Sequence, residues 1–161
     1  METVHTGGVR MPRKVKIDSI DLKIVHLLSE NARMTYKELA EAIGTTRQRI
    51  SRRMDKLERA GIIRKYTILP DYETLGYSYI ILGITLKPGA KTDAIVQSLK
   101  EKEYVKIIQK ALGTHNLVVH VIAPKDMREI QSIIESITSD IEDIDHVDIT
   151  FITETCKFQT F

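Results

Sequence analysis

Three observations predict an α+β chain in two parts. Residues 17–61 hold three stretches with apolar residues at helical spacing, each bounded by start and stop signals. From Tyr77 onward, four apolar, β-rich runs enclose two helical stripes. The charge also divides near Pro70. Residues 9–70 carry 15 Lys+Arg against seven Asp+Glu, a balance of +8, whereas residues 71–161 carry nine bases and 14 acids, or −5. The whole-chain net charge of +2 conceals this split, and a basic half of this kind points to an acidic partner.

The elements follow in order. Residues 1–16 lack apolar periodicity, hold Arg10, Arg13, Lys14 and Lys16, and are expected to form a flexible basic arm. The first helix is predicted over Ser19–Glu30, with Ile20, Ile24, Leu27 and Leu28 on one face. Asp18 or Ser19 can cap it, and Asp21 suits the positive end of its dipole. The second helix is predicted over Tyr36–Ile43. Thr35 with Glu38 makes a capping box, Leu39, Ala40 and Ile43 face inward, and Gly44 ends it. The third helix follows almost at once, with Thr45 and Gln48 as a second capping-box pattern and Gly61 as its stop. Ile50, Met54 and Leu57 form its narrow apolar stripe. Residues Ile62–Ile68 alternate and predict a short strand.

In the second half, strands are predicted over Tyr77–Leu86, Tyr104–Leu112, Leu117–Ala123 and Val147–Thr153. Helices are predicted over Thr92–Lys100 and Lys125–Thr138, the latter opened by Pro124 and striped by Met127, Ile130, Ile133, Ile134 and Ile137. The order β-α-β-β-α-β is the ferredoxin-like pattern, an antiparallel sheet with both helices on one face. The expected organisation is an arm over 1–16, a winged helix-turn-helix domain over 17–69, a linker over 70–76, and a ferredoxin-like domain over 77–161.

The second and third helices carry the functional signal. A helix-turn-helix lays its second helix in the DNA major groove, with that helix's N-terminal residues at the base edges. Ala40 is small where the helices cross, Gly44 makes the turn, and Ile50 anchors the reader helix. With Ile50, Met54 and Leu57 buried, Gln48 and Arg52 lie nearly opposite them, flanked by Arg47, Arg49 and Ser51. Arg pairs bidentately with guanine and Gln with adenine, and Arg and Thr also hold phosphates. Thr46, Arg47, Gln48, Arg49, Ser51, Arg52 and Arg53 are therefore the candidate contacts to double-stranded DNA.

Other chemistries find little support. The composition, 42% hydrophobic and 29% charged, excludes wholesale disorder. No apolar run reaches the ~18 residues of a membrane span. Residues 1–13 hold no signal-peptide apolar region, and Cys156 is the one cysteine, so a cytoplasmic protein is expected. The scattered His26, His120 and His146 lack zinc-site spacing, and the acidic run Asp140–Asp145 lacks the glycine and terminal Glu of a calcium loop. No catalytic triad, phosphate loop or dinucleotide fingerprint is present, so no cofactor, metal or catalytic residue is expected.

Residues 17–155 resemble the leucine-responsive regulatory protein / AsnC family of transcription regulators. The most specific pieces are Asp21-Leu22 before an apolar helix, Arg52-Arg53 followed by Leu57-Glu58, and AGIIRKYTILPDYETLGY from Ala60 to Tyr77. The resemblance implies a non-enzymatic regulator whose second half senses an effector and forms homodimers, often assembled into tetramers or octamers. It also implies a ligand site at the loop after the second strand, here Gly113, Thr114, His115 and Asn116. The family's usual pattern there is Gly-Asp-x-Asp. Thr114 and Asn116 offer only neutral oxygens where carboxylates would meet an amino acid's ammonium, which weakens the case for an amino-acid ligand. His115 would make the loop pH-sensitive, or it is simply a turn residue. The alternative is a siroheme-type decarboxylase subunit, which resembles the family in both halves. His115 and His120 give it a foothold, and the basic outer face of the third helix argues against it.

Overall fold

The computed structural model describes residues 15–158. The expected basic arm lies, apart from Val15 and Lys16, outside them. The chain divides into two compact units, one running to Ile68 and one spanning Leu69–Cys156.

The first unit contains α1 (Ser19–Glu30), α2 (Tyr36–Ile43) and α3 (Arg47–Arg59). Asp18 accepts hydrogen bonds from the Ile20 and Asp21 amides, and Asp21 accepts the Asp18 amide at 3.1 Å. Such a reciprocal cap contributes about 1 kcal/mol. Thr35 and Glu38 repeat the device on α2, with the Thr35 amide 2.6 Å from Glu38 Oε2. Gly44 closes α2 at φ +77°, a left-handed conformation suited to a residue without Cβ.

The expected start of α3 is corrected by one residue. Its cap is Thr46, whose Oγ1 accepts the Arg49 amide at 3.3 Å. The Thr45 amide still bonds the Ala40 carbonyl at 2.9 Å and so belongs to the end of α2, and its Oγ1 is buried. Ile24, Leu39, Ala40, Ile50, Met54 and Leu57 make the core of this unit, with Ile20, Leu28, Ile43 and Ile63 packed against it.

The strand expected at Ile62–Ile68 does not form. Instead, the Ile62 and Ile63 amides both bond the Leu57 carbonyl, at 2.9 and 3.2 Å, and wrap the C-terminus of α3. The Tyr66 hydroxyl donates to Glu58 at 2.8 Å. An alternating sequence needs a second backbone to pair with, and none of the described residues supplies one here.

The second unit runs β1 (Tyr77–Leu86), α4 (Thr92–Lys100), β2 (Val105–Lys110), β3 (Leu117–Pro124), α5 (Met127–Thr138) and β4 (Ile144–Ile152). The sheet order is β2-β3-β1-β4, antiparallel throughout, as the ferredoxin-like pattern requires. Ile80, Leu82, Ile84 and Leu86 of β1 join Leu117, Val119, Val121 and Ala123 of β3 on one face, where Leu99 of α4 and Ile130, Ile133 and Ile137 of α5 cover them. Period-two burial on both central strands produces this one-sided core.

Four boundaries are corrected. Pro124 ends β3, paired with Tyr77, rather than opening α5. The α5 cap is Asp126, which accepts from the Arg128 and Glu129 amides, and Met127 is 65% exposed rather than in the stripe. β2 ends at Lys110, because the Ala111 amide bonding the Asn116 carbonyl at 2.9 Å closes a tight turn. β4 starts at Ile144, inside the acidic run, because a bulge lets Ile144 pair with Leu86.

Candidate nucleic-acid interface

The candidate surface for DNA is built on α3. Ile50, Met54 and Leu57 are buried and hold the helix to the core. Arg47, Gln48, Arg49 and Arg52 are exposed on the rest of its surface, and Ser51 is half-buried at the flank. Thr46 is exposed at the N-terminus, with its oxygen occupied as the cap. No acidic residue lies in the first turn of α3, so its positive dipole end is left for an anion. Among the described residues, four of the seven DNA candidates thus share one solvent-facing, cationic and amide-bearing surface.

Arg53 is placed differently. Its Nη1 donates to Asp18 Oδ1 at 2.6 Å, to Asp18 Oδ2 at 2.8 Å and to Asp21 Oδ1 at 2.8 Å. Lys56 Nζ pairs with Asp21 Oδ2 and donates to the Lys16 carbonyl at 3.2 Å. Asp21 is the one buried charged residue among those described, at 0% exposure. Burial works to raise its pKa. Lys56, the Asp18 amide and Arg53 together override that and hold it below the ordinary carboxylate value. Bonding to Arg53 and to the Asp21 amide lowers the Asp18 pKa to about 2. Sequence reasoning missed this cluster. Angular position does not single it out: Arg53 lies about 60° around the wheel from Ile50 at ~100° per residue, and exposed Arg47 lies as far on the other side.

The candidate effector loop sits at the end of the sheet. Gly113 and Thr114 are exposed, but His115 and Asn116 have internal partners. Asn116 Oδ1 accepts the Leu86 amide at 2.7 Å, and its own amide donates to the Ile84 carbonyl at 2.9 Å. The Thr114 carbonyl accepts the Thr85 hydroxyl at 3.0 Å. The His115 ring lies over Gly83, with Nδ1 3.3 Å from Thr85 Oγ1 and Nε2 3.5 Å from Asp148. His146, from β4, meets the same Asp148 at 3.2 Å. His120 bonds the Tyr79 hydroxyl through Nδ1 at 2.6 Å, and burial lowers its pKa. Among the described residues no group of three or more His, Cys, Asp or Glu is disposed to hold a metal ion.

Comparison with known proteins agrees with this geometry. Residues 17–64 match the winged helix-turn-helix DNA-binding family. The chain is 42% identical over 144 residues to the HTH-type transcriptional regulator PH0061 of Pyrococcus horikoshii, covering 89% of this chain and 97% of that one. It is 32% identical over 142 residues to the HTH-type transcriptional regulator LrpA of Pyrococcus abyssi, covering 88% and 99%. The chain belongs to the leucine-responsive regulatory protein / AsnC family. It is a transcriptional regulator with a helix-turn-helix DNA-binding domain.

Among solved structures, PH0061 superposes with a TM-score of 0.85 at 41% identity, covering 91% of this chain and 99% of that one. E. coli AsnC superposes with a TM-score of 0.75 at 24% identity, covering 91% and 99%. The regulator NMB0573 of Neisseria meningitidis, solved as an L-Met complex, superposes with a TM-score of 0.76 at 21% identity, covering 90% and 95%. The last two show the shared Lrp/AsnC fold. The relatives are named as regulators, so the decarboxylase alternative is not favoured. Among the described residues no helix is long and apolar enough to cross a membrane.

Proposed function

We propose that this Lrp/AsnC-family chain reads specific DNA sequences with the outer surface of α3, as a dimer or higher oligomer assembled through its ferredoxin-like unit. The observation that carries the reading is the placement of Arg47, Gln48, Arg49 and Arg52 on solvent, against a buried Ile50-Met54-Leu57 stripe. Gln48 and Arg52 read base edges, and Thr46, Arg47, Arg49 and Ser51 serve phosphates or flanking bases. Functionally, residues 17–69 read, 70–76 link, and 77–161 assemble and sense.

The test is binding to a promoter duplex and to a scrambled duplex at moderate salt. Arg52→Ala or Gln48→Ala is expected to cost about 1–3 kcal/mol at particular base pairs. Weak, sequence-indifferent binding by the unaltered chain would sink the proposal. Light scattering checks assembly, for which a monomer at micromolar concentration is the contrary result.

A small, amino-acid-like effector at the Gly113–Asn116 loop is the regulatory part of the proposal. The L-Met complex of the Neisseria regulator supports it at the level of the shared fold. In this chain such a molecule meets Gly113 and Thr114 first, since His115 and Asn116 are engaged internally. Its effect on DNA affinity must equal the effect of DNA on its own affinity. Titration calorimetry with L-methionine checks the amino-acid version, and the absence of heat retires it.

A further inference from the structure

We infer that Arg53 and Lys56 are positioning residues rather than DNA contacts: with Asp18 and Asp21 they clamp α3 in the rotation that turns Gln48, Arg49 and Arg52 outward. The inference rests on the reading of α3 as the DNA-reading helix. Two cations spaced three apart on α3 meet two carboxylates spaced three apart at the start of α1. One nitrogen of Arg53 holds three carboxylate oxygens at 2.6–2.8 Å, and Lys56 takes the remaining oxygen of Asp21.

The apolar stripe of α3 is narrow, and burial is non-directional, so packing alone permits the helix to roll. Directional bonds at two points on one side of the helix stop that roll. Their anchor is strong because Asp21 is fully buried, and a buried carboxylate tolerates only a state in which its partners stay.

Electrostatics separates these two cations from their neighbours. Two positive and two negative charges make the cluster neutral, so it offers little to a phosphate. Arg49 and Arg52 border the same surface hollow as Asp18, Arg53 and Lys56. The Asp18 carboxylate, 46% exposed, faces solvent there and repels a phosphate that strays from the two free arginines. The charge of α3 is thereby sorted into a reading set and a holding set.

The decisive variant is Asp18→Asn in the full chain. Asn caps a helix as well as Asp does, so α1 keeps its start, while the reader gains one positive charge. Affinity is measured across salt concentrations for a duplex that the unaltered chain enriches from a random library, and for a scrambled duplex. A clamp predicts that the ratio of the two affinities falls about tenfold while scrambled-duplex binding holds or rises. A phosphate-contacting Arg53, released from its competitor, predicts stronger binding to both duplexes and a salt slope steeper by about one. That result overturns the inference.

Arg53→Lys is the second variant. Because Arg53 uses a single nitrogen, an ammonium can replace it, and the ratio should stay within about threefold with Lys, unlike a bidentate guanine contact. Loss of the ratio in Arg53→Lys, with the circular dichroism unchanged, also overturns the inference. If the unaltered chain enriches no sequence at all, the DNA-reading proposal itself fails and takes the clamp with it.

Discussion

The two units of this regulator are held together by different means. The reader has six buried apolar residues among those described, and adds capped helices and an ion cluster built on a buried carboxylate. The ferredoxin-like unit has fourteen buried apolar residues and, among the described residues, no buried charge. Small domains bury a smaller share of their surface, so the reader relies on directional polar contacts where the larger sheet relies on area. Directional contacts also suit a helix-turn-helix DNA-binding domain, whose second helix must present one surface outward.

Core truncation gives the largest expected contrast. Ile50→Ala and Leu82→Ala each remove a fully buried side chain, and each should cost about 2–5 kcal/mol. At roughly 0.05–0.15 kcal/mol per residue, a reader of this size has only a few kcal/mol to lose. Ile50→Ala is therefore expected to unfold the reader and abolish DNA binding while the sheet unit keeps its amide protection. Leu82→Ala should weaken the sheet unit without unfolding it. Hydrogen exchange resolved by unit checks both, and equal consequences for the two units would break the comparison.

Acid gives the next contrast, and its sign differs in range rather than direction. Asp18 and Asp21 sit below their ordinary 3.8, Asp18 at about 2. A carboxylate held low adds stability that is complete above its unfolded value and is lost as pH falls through the folded one. The reader's ion cluster should hold from neutrality to about pH 4 and fail between there and about pH 2. His120 in the sheet unit is held below its ordinary 6.5 by burial. It stays neutral in the fold and takes up a proton more readily in the unfolded chain. The sheet unit should then lose stability as pH drops below 6.5, where the reader is still unaffected. Urea midpoints followed at reader and sheet amides between pH 7.5 and 4.5 test this, and His120→Gln should flatten the sheet's response. Parallel loss in both units would refute the assignment.

Legibility in the sequence cut across that division. The bounds of α1, α2, β1 and α4 were readable because stripe and end signals coincide, as at Thr35-Glu38 and Gly44. The start of β4 was not, because Ile144 pairs through a bulge from within an acidic run that reads as a connector. The segment after α3 alternates like a strand, yet whether it becomes one depends on a partner backbone that local pattern cannot reveal. The exposure of Gln48 and Arg52 was legible from the stripe of α3, which places them opposite Ile50. Arg53 was not separable from Arg52 by residue type. Its bonds reach back to Asp18 and Asp21, more than thirty residues earlier. The engagement of His115 and Asn116 likewise comes from residues on β1 and β4.

The smallest expected effects come from two glycines, and they sharpen the comparison because each is needed for a different reason. Gly44 in the reader has φ +77° and open space where a Cβ would go. Gly44→Ala meets no clash but is held in a left-handed backbone, at about 1 kcal/mol, and the turn between α2 and α3 has no freedom to relieve it. Gly83 in the sheet is ordinary extended strand, and a Cβ there would stand 2.6 Å from Cδ2 and Nε2 of His115. The obstruction is a ring at the end of a side chain on a half-exposed loop residue, so it can swing aside. Gly83→Ala should therefore cost less stability than Gly44→Ala. It should also release the His115 ring from Asp148 and Thr85 while His146 keeps its contact with Asp148. Imidazole resonances followed by NMR would show one histidine shifted and the other in place. If Gly83→Ala instead proves the costlier substitution, the His115 ring is firmly held over the strand. Directional control would then be a property of both units.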